Sequence, residues 1–272
     1  MNNMKLLTEN ELKSSQLRTL QVIHDYCSVT GLKYYMVYGT LLGAVRHNGY
    51  IPWDDDIDIA MPRNDYEAFI HNFNQYSKDN GIRCIHIDLD PKYYLDFAKI
   101  YDTQTLLIER VYNPVTIGAY IDVFPIDAMP DDHHEASALL MKIQEKELEL
   151  RKQNSIGAGK GKRIKTLMHN LERLAIKDKR ENTIKEIDRL GKSFDGCFTD
   201  HAAIAVGGFP MFKEYVPKEW YGEPQLMKFE TTFLYAPAKP NELLTQWYGD
   251  YMTPPPVEKQ HSHHSFEAYW NR

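Results

Sequence analysis

Asp54, Asp55, Asp56 and Asp58 stand in Ile51-Pro52-Trp53-Asp54-Asp55-Asp56-Ile57-Asp58-Ile59-Ala60-Met61, a carboxylate cluster inside an otherwise apolar stretch. Read as a strand, the stretch puts Asp54, Asp56 and Asp58 on one face and Ile57, Ile59 and Met61 on the other, because strand side chains alternate. Close carboxylates in a half-buried site repel, and they take up protons unless a cation sits among them. Hard oxygen ligands on rigid backbone suit Mg²⁺ or Mn²⁺. A solvated charge run is the plain alternative, and the apolar flanks Ile51, Trp53, Ile57, Ile59 and Met61 argue against it. A Ca²⁺ loop of the EF-hand kind needs Gly at its sixth place and Glu at its twelfth. Counted from Asp54, those places hold Ile59 and Asp65.

Upstream, Tyr34 to Tyr38 reads as a strand and Gly39-Thr40 as the sharp turn out of it. Thr40 is then the N-cap of a short helix, Leu41 to Arg46, whose exposed amides and dipole favour a phosphate. Gly39 lets backbone approach that anion, and Arg46 adds a charge-assisted contact. Thr8 and Glu11 form a capping box that opens an amphipathic helix through Leu17, Leu20 and Ile23 to a stop at Gly31. Pro62 begins a helix whose Tyr66, Phe69, Ile70 and Phe73 recur at helical spacing and belong to the core. Strands are predicted at Ile82 to Ile87, Phe97 to Tyr101, Leu106 to Ile108 and Ala119 to Val123. From Glu135 to Leu190 the pattern is helical, broken at Gly157 to Gly161. Asp122 lies between Ile121 and Val123 on a core strand, so its carboxylate needs a partner: a salt bridge, a backbone cap or a ligand.

With 43% hydrophobic residues in 272, the chain can build a substantial core. A net charge of -6 argues against a basic face for nucleic acid. Basic residues cluster locally at Lys160, Lys162, Arg163 and Lys165, read as a solvated connection ahead of a phosphate or membrane contact. Cys27, Cys84 and Cys197 are far apart and read as reduced thiols of a cytoplasmic protein. The sequence shows neither a secretory signal nor an apolar run of bilayer length. His261, His263 and His264 cluster without any defined zinc spacing and read as a polar tail.

The string Tyr38-Gly39-Thr40-Leu41-Leu42-Gly43-Ala44-Val45-Arg46-His47 followed by Ile51 to Asp58 resembles the LicD/fukutin phosphotransferases of the nucleotidyltransferase superfamily, in their bacterial LicD branch. The resemblance extends through Phe97-Ala98-Lys99-Ile100, Tyr120 to Asp127, Tyr248-Gly249-Asp250-Tyr251-Met252 with Pro254-Pro255-Pro256, and the histidine pair His263-His264. It implies an α+β fold: a nucleotidyltransferase-like mixed sheet with flanking helices, a helical insertion and a C-terminal region rich in aromatics and proline. One catalytic domain is expected over 1–272, with the core in 1–130, the insertion in 131–200 and the completing region in 201–272. Asp56, Asp58 and Asp122 are then the catalytic residues, and Asp54, Asp56, Asp58 and Asp122 the ligands of Mg²⁺ or Mn²⁺. Gly39, Thr40 and Arg46 bind substrate, as does Lys99, placed on the intervening strand and holding the donor diphosphate. Glu230 and Asp250 are further candidates, each with a structural reading beside the functional one.

The implied reaction moves phosphocholine from CDP-choline to a hydroxyl of a cell-surface glycan or polyol-phosphate precursor, lipid-linked or not, with CMP released. Teichoic acid, lipopolysaccharide and capsule are the candidate acceptors; CDP-ribitol and CDP-glycerol are alternative donors. Such an enzyme works in the cytoplasm, with peripheral contact at the inner membrane face. Choline calls for an aromatic cage, which 18 Tyr, 11 Phe and 4 Trp permit without locating. A metal-dependent glycosyltransferase also carries Asp-x-Asp but does not require the upstream Gly-Thr turn. A glycan- or cation-binding module is disfavoured by the coincidence of that turn, the acid stretch and Asp122.

Overall fold

The computed structural model describes residues 5–109, 115–155, 166–207, 211–261 and 266–271. Helix α1 (Glu9–Thr30) starts at the expected capping box, with the Glu11 amide donating to the Thr8 hydroxyl at 3.2 Å and the Thr8 amide to the Glu11 carboxylate at 2.8 Å. It stops at Gly31, whose φ of 74° is the left-handed conformation glycine tolerates. The chain continues through β1 (Tyr35–Met36), α2 (Tyr38–His47), β2 (Asp58–Pro62), α3 (Arg63–Tyr76), β3 (Ile82–Ile85), β4 (Ala98–Asp102), β5 (Thr105–Glu109) and β6 (Tyr120–Met129). After these come α4 (His133–Ser155), α5 (Thr166–Gly191), β7 (His201–Ala203), α6 (Met211–Glu214), β8 (Val216–Pro217), β9 (Gln225–Phe229), β10 (Thr232–Ala236), α7 (Pro240–Tyr248) and β11 (Phe266–Trp270). The fold is α+β, as expected. The helical break at Gly157 to Gly161, the basic cluster at Lys160 to Lys165, and His263 and His264 lie outside the described residues.

The main sheet runs β1-β2-β6-β4-β3 in space, with β7 and β8 added beyond β6. Parallel β2 and β6 are joined through α3, β3, β4 and β5, and Phe69, Ile70 and Phe73 of α3 are fully buried against the sheet. Each such side chain contributes about 1.5–3 kcal/mol through the water it leaves. Pro125 sits between the stretch of β6 that pairs with β4 and the stretch that pairs with β7, where a missing N–H leaves no acceptor stranded. Two small antiparallel pairs complete the fold, β9 with β10 and β5 with β11. The N-terminal segment lies along β11: the Leu7 amide donates to Ala268 O at 2.8 Å and the Trp270 amide to Lys5 O at 2.9 Å.

Two local expectations are corrected. The acid stretch is not one strand: Asp54 closes a turn begun at Ile51, its amide donating to Ile51 O at 2.9 Å, and β2 starts only at Asp58. Pro52 holds the φ this turn needs at its second place. Helix α2 begins two residues before Thr40, with Val37 as its uncapped N-cap. Tyr38 takes the turn at φ 48°, rare for a bulky side chain and costing roughly 1–3 kcal/mol. Its ring is held by Trp247 and Phe124, at centroid distances of 4.8 and 5.9 Å.

Candidate active site

Three registered residues cross the centre of the sheet in one row. Asp58 on β2 pairs with Asp122 on β6, and Asp122 pairs with Lys99 on β4. Directly paired residues project from the same face. Asp122, rather than Lys99, therefore stands in the middle, which corrects the expectation of Lys99 on the intervening strand. The Lys99 ammonium donates to Asp122 Oδ1 at 2.5 Å and sits 3.3 Å from the centroid of the Tyr120 ring. Burial raises the Asp58 carboxyl well above the usual carboxylate range; Asp56, Asp122 and Asp54 push the same way, and Lys99 opposes them. The Asp58 amide donates to the Thr40 hydroxyl at 2.8 Å, so Thr40 fixes the start of β2.

Beside this row lies the acid loop. Asp54, Asp55 and Asp56 bring one carboxylate oxygen each within 4.8 Å of one another. Burial first, then Asp56, pushes the Asp54 carboxyl up to about 7. Half-buried oxygens that repel one another fit a hard divalent cation. Asp55 was not among the expected ligands: a strict strand would have turned it away, and the loop brings it in. A Cβ on Gly39 would stand 2.6 Å from Asp54 Oδ2, so the bare glycine lets the acid loop close onto the first turn of α2.

The remaining expected residues have structural partners. Arg46 donates to Tyr251 O at 2.6 Å and so fastens the Tyr-Gly-Asp segment to α2. Glu230, at φ 53°, accepts from the Tyr50 amide at 2.9 Å and donates its own amide to Asn48 O at 2.7 Å, holding the loop after α2. Asp250 accepts from the Thr253 hydroxyl at 2.7 Å in an exposed turn. His261 is exposed. Two neighbours escaped sequence reasoning. Tyr248, in the same motif as Asp250, has its hydroxyl pushed up by burial first and then by Asp58, Glu214, Asp54 and Asp56. Glu214, buried, accepts from the Tyr38 hydroxyl at 3.1 Å, and burial pushes its carboxyl up to about 8. No periodicity marks Glu214, because α6 is a single turn.

A family model described as LicD/FKTN/FKRP, nucleotidyltransferase domain, matches residues 31–153. Over 276 residues the chain is 30% identical to the lipopolysaccharide cholinephosphotransferase LicD of Haemophilus influenzae, covering 98% of this chain and 99% of that protein. The chain belongs to the LicD family. Shorter stretches match uncharacterized proteins of Rickettsia typhi, 43% identical over 63 residues (23% of this chain, 20% of that protein), and Rickettsia prowazekii, 50% identical over 42 (15% and 16%). As a LicD protein the chain is a transferase. Gly39, Thr40, the acid loop, Asp58, Lys99 and Asp122 all fall inside the matched domain; Glu230 and Asp250 fall outside it. Among the described residues, no helix is long and apolar enough to cross a membrane.

Proposed function

We propose that this LicD protein transfers phosphocholine from CDP-choline to a hydroxyl of a lipopolysaccharide or related cell-surface glycan precursor at the inner face of the membrane, releasing CMP. The near full-length likeness to a cholinephosphotransferase supports the group transferred. The row Asp58–Asp122–Lys99 beside the acid loop is the observation that carries phosphoryl transfer. Asp54, Asp55, Asp56 and Asp58 would hold Mg²⁺ or Mn²⁺, with Asp122 alongside; when bound, the cation neutralises charge on the donor oxygens and on the departing nucleotide.

The chain's own residues do the rest. Asp122 accepts the proton as the acceptor hydroxyl attacks the choline-bearing phosphorus and the phosphoanhydride bond to CMP breaks. Lys99 aims the Asp122 carboxyl and presents positive charge toward the donor diphosphate. The first turn of α2 offers amides that complement phosphate. Arg46 and Glu230 hold the loops at the C-terminal end of α2, and Asp250 braces its own turn through Thr253.

Incubation with CDP-choline, CDP-ribitol, CDP-glycerol and UDP-sugars, with release of CMP or UDP followed, tests the reading. CMP release from CDP-choline with label appearing on glycan is expected. UDP release, or CMP release from CDP-ribitol or CDP-glycerol alone, overturns it.

A further inference from the structure

We infer that the cavity behind the acid loop is the subsite for the quaternary ammonium head of the transferred group, an assignment that rests on the phosphocholine reading above. The cavity, about 420 Å³, opens between the N-terminal segment, the turn at Pro52–Asp55 and β11. That volume lies in the range of small-ligand pockets. It adjoins the site directly, since Asp54 and Asp55 line it and also belong to the acid loop.

Its walls select against phosphate. The described lining carries the carboxylates of Glu9, Asp54, Asp55 and Glu267 and no lysine or arginine. Glu9 is offset by Lys13 at 2.7 Å, while Glu267 accepts from the Tyr269 hydroxyl at 2.8 Å. With Asp54 and Asp55 given to the metal, the carboxylate of Glu267 supplies the charge that attracts a cationic head.

The other walls select the kind of cation. Leu7, Leu12, Trp53 and Phe266 present apolar and aromatic surface. A hydrated metal ion or a primary ammonium would lose hydrogen bonds against such surface. A trimethylammonium group has no N–H to satisfy: its methyls favour apolar contact and its charge favours aromatic faces and nearby carboxylates. In phosphocholine, two carbons separate the phosphate ester from the ammonium nitrogen. A head seated in this cavity therefore keeps its phosphate close by, and Asp54 and Asp55, which line the cavity, belong to the acid loop.

The test combines binding and kinetics on the full chain. Tetramethylammonium chloride, titrated calorimetrically in the presence of CMP and Mg²⁺, binds wild type and loses about 3- to 30-fold in affinity in Phe266→Ala, the range of one cation–aromatic contact. Glu267→Gln, which leaves the apolar wall in place, weakens binding in the same direction. With CDP-choline as donor, both variants raise KM, keep kcat within about twofold and lose discrimination against CDP-ethanolamine. No tetramethylammonium binding in wild type, or equal binding in both variants, overturns the subsite even if CDP-choline proves to be the donor. If wild type ignores CDP-choline yet binds tetramethylammonium through Phe266 and Glu267, the donor reading fails and the ammonium site stands.

Discussion

Asp122 and Asp58 are adjacent in the sheet yet differ in company, one clasped by Lys99 and the other set among carboxylates, and the difference assigns separable effects. Asp122→Asn keeps the shape and removes the proton acceptor, so turnover should fall at least ~10²-fold with a smaller change in donor affinity. A variant that melts earlier but keeps full turnover per folded molecule would make Asp122 a salt-bridge partner only. Asp56→Ala and Asp58→Ala should each leave less than ~10% of turnover in excess Mg²⁺, because each removes an oxygen ligand; the same deletions relieve repulsion and should hold or raise the melting temperature without metal. Glu214 gives the pH dependence. Its folded pKa is raised, from 4.5 to about 8, so its contribution to stability is fully present below 4.5 and is lost as pH rises through about 8. Thermal melts from pH 6 to 9 should fall more steeply in wild type than in Glu214→Gln, which keeps an acceptor for Tyr38 but cannot ionise.

At the scale of elements, legibility followed locality. The capping box of α1, the buried face of α3 and the strands around Ile82, Phe97 and Ala119 were readable because each signal and its cause lie within a few residues. The start of α2 was not, since a tyrosine at φ 48° is stabilised by Trp247 and Phe124, far away in the chain. The acid stretch misled for a related reason. Its period of two suits a strand, but Pro52 makes the turn that lets Asp55 join Asp54 and Asp56. Within the Gly-Thr pair, Thr40 anchors the Asp58 amide, and Gly39 makes room for Asp54. Gly39→Val should therefore displace the acid loop and abolish measurable binding of a CDP-alcohol by calorimetry. Thr40→Val, isosteric but unable to accept, should cost about 1–3 kcal/mol by leaving a buried amide unsatisfied. Unchanged donor affinity in Gly39→Val would reduce the turn to a structural part.

Across the whole molecule, one ion pair ties the layers together. Arg63, at the start of α3, meets Asp127 of β6 through two contacts of 2.6 and 2.9 Å, both side chains buried, and reaches Asp188 of α5 at 2.9 Å. Gly191 allows this approach, since a Cβ there would lie 2.6 Å from Asp127 Oδ2. Asp127 belongs to the same motif as Asp122, and its partner was invisible in sequence because it lies 64 residues away. Arg63→Ala strands a buried carboxylate and should cost about 3–5 kcal/mol in denaturant unfolding. A loss below ~1 kcal/mol would show that the pair is dispensable.

The wall of the cavity joins distant parts of the chain: the Leu7 amide donates to Ala268 O at 2.8 Å, with roughly 260 residues of sequence between them. A ribosome adding roughly 5–20 residues per second needs on the order of 10–50 s to travel that distance. For most of that interval the nascent chain already carries its acid loop but lacks β11 to lie beside Leu7. The enzyme therefore emerges with its charged machinery made before the surface proposed to choose what that machinery handles. Discrimination among head groups therefore waits on β11, made well after the charges it serves.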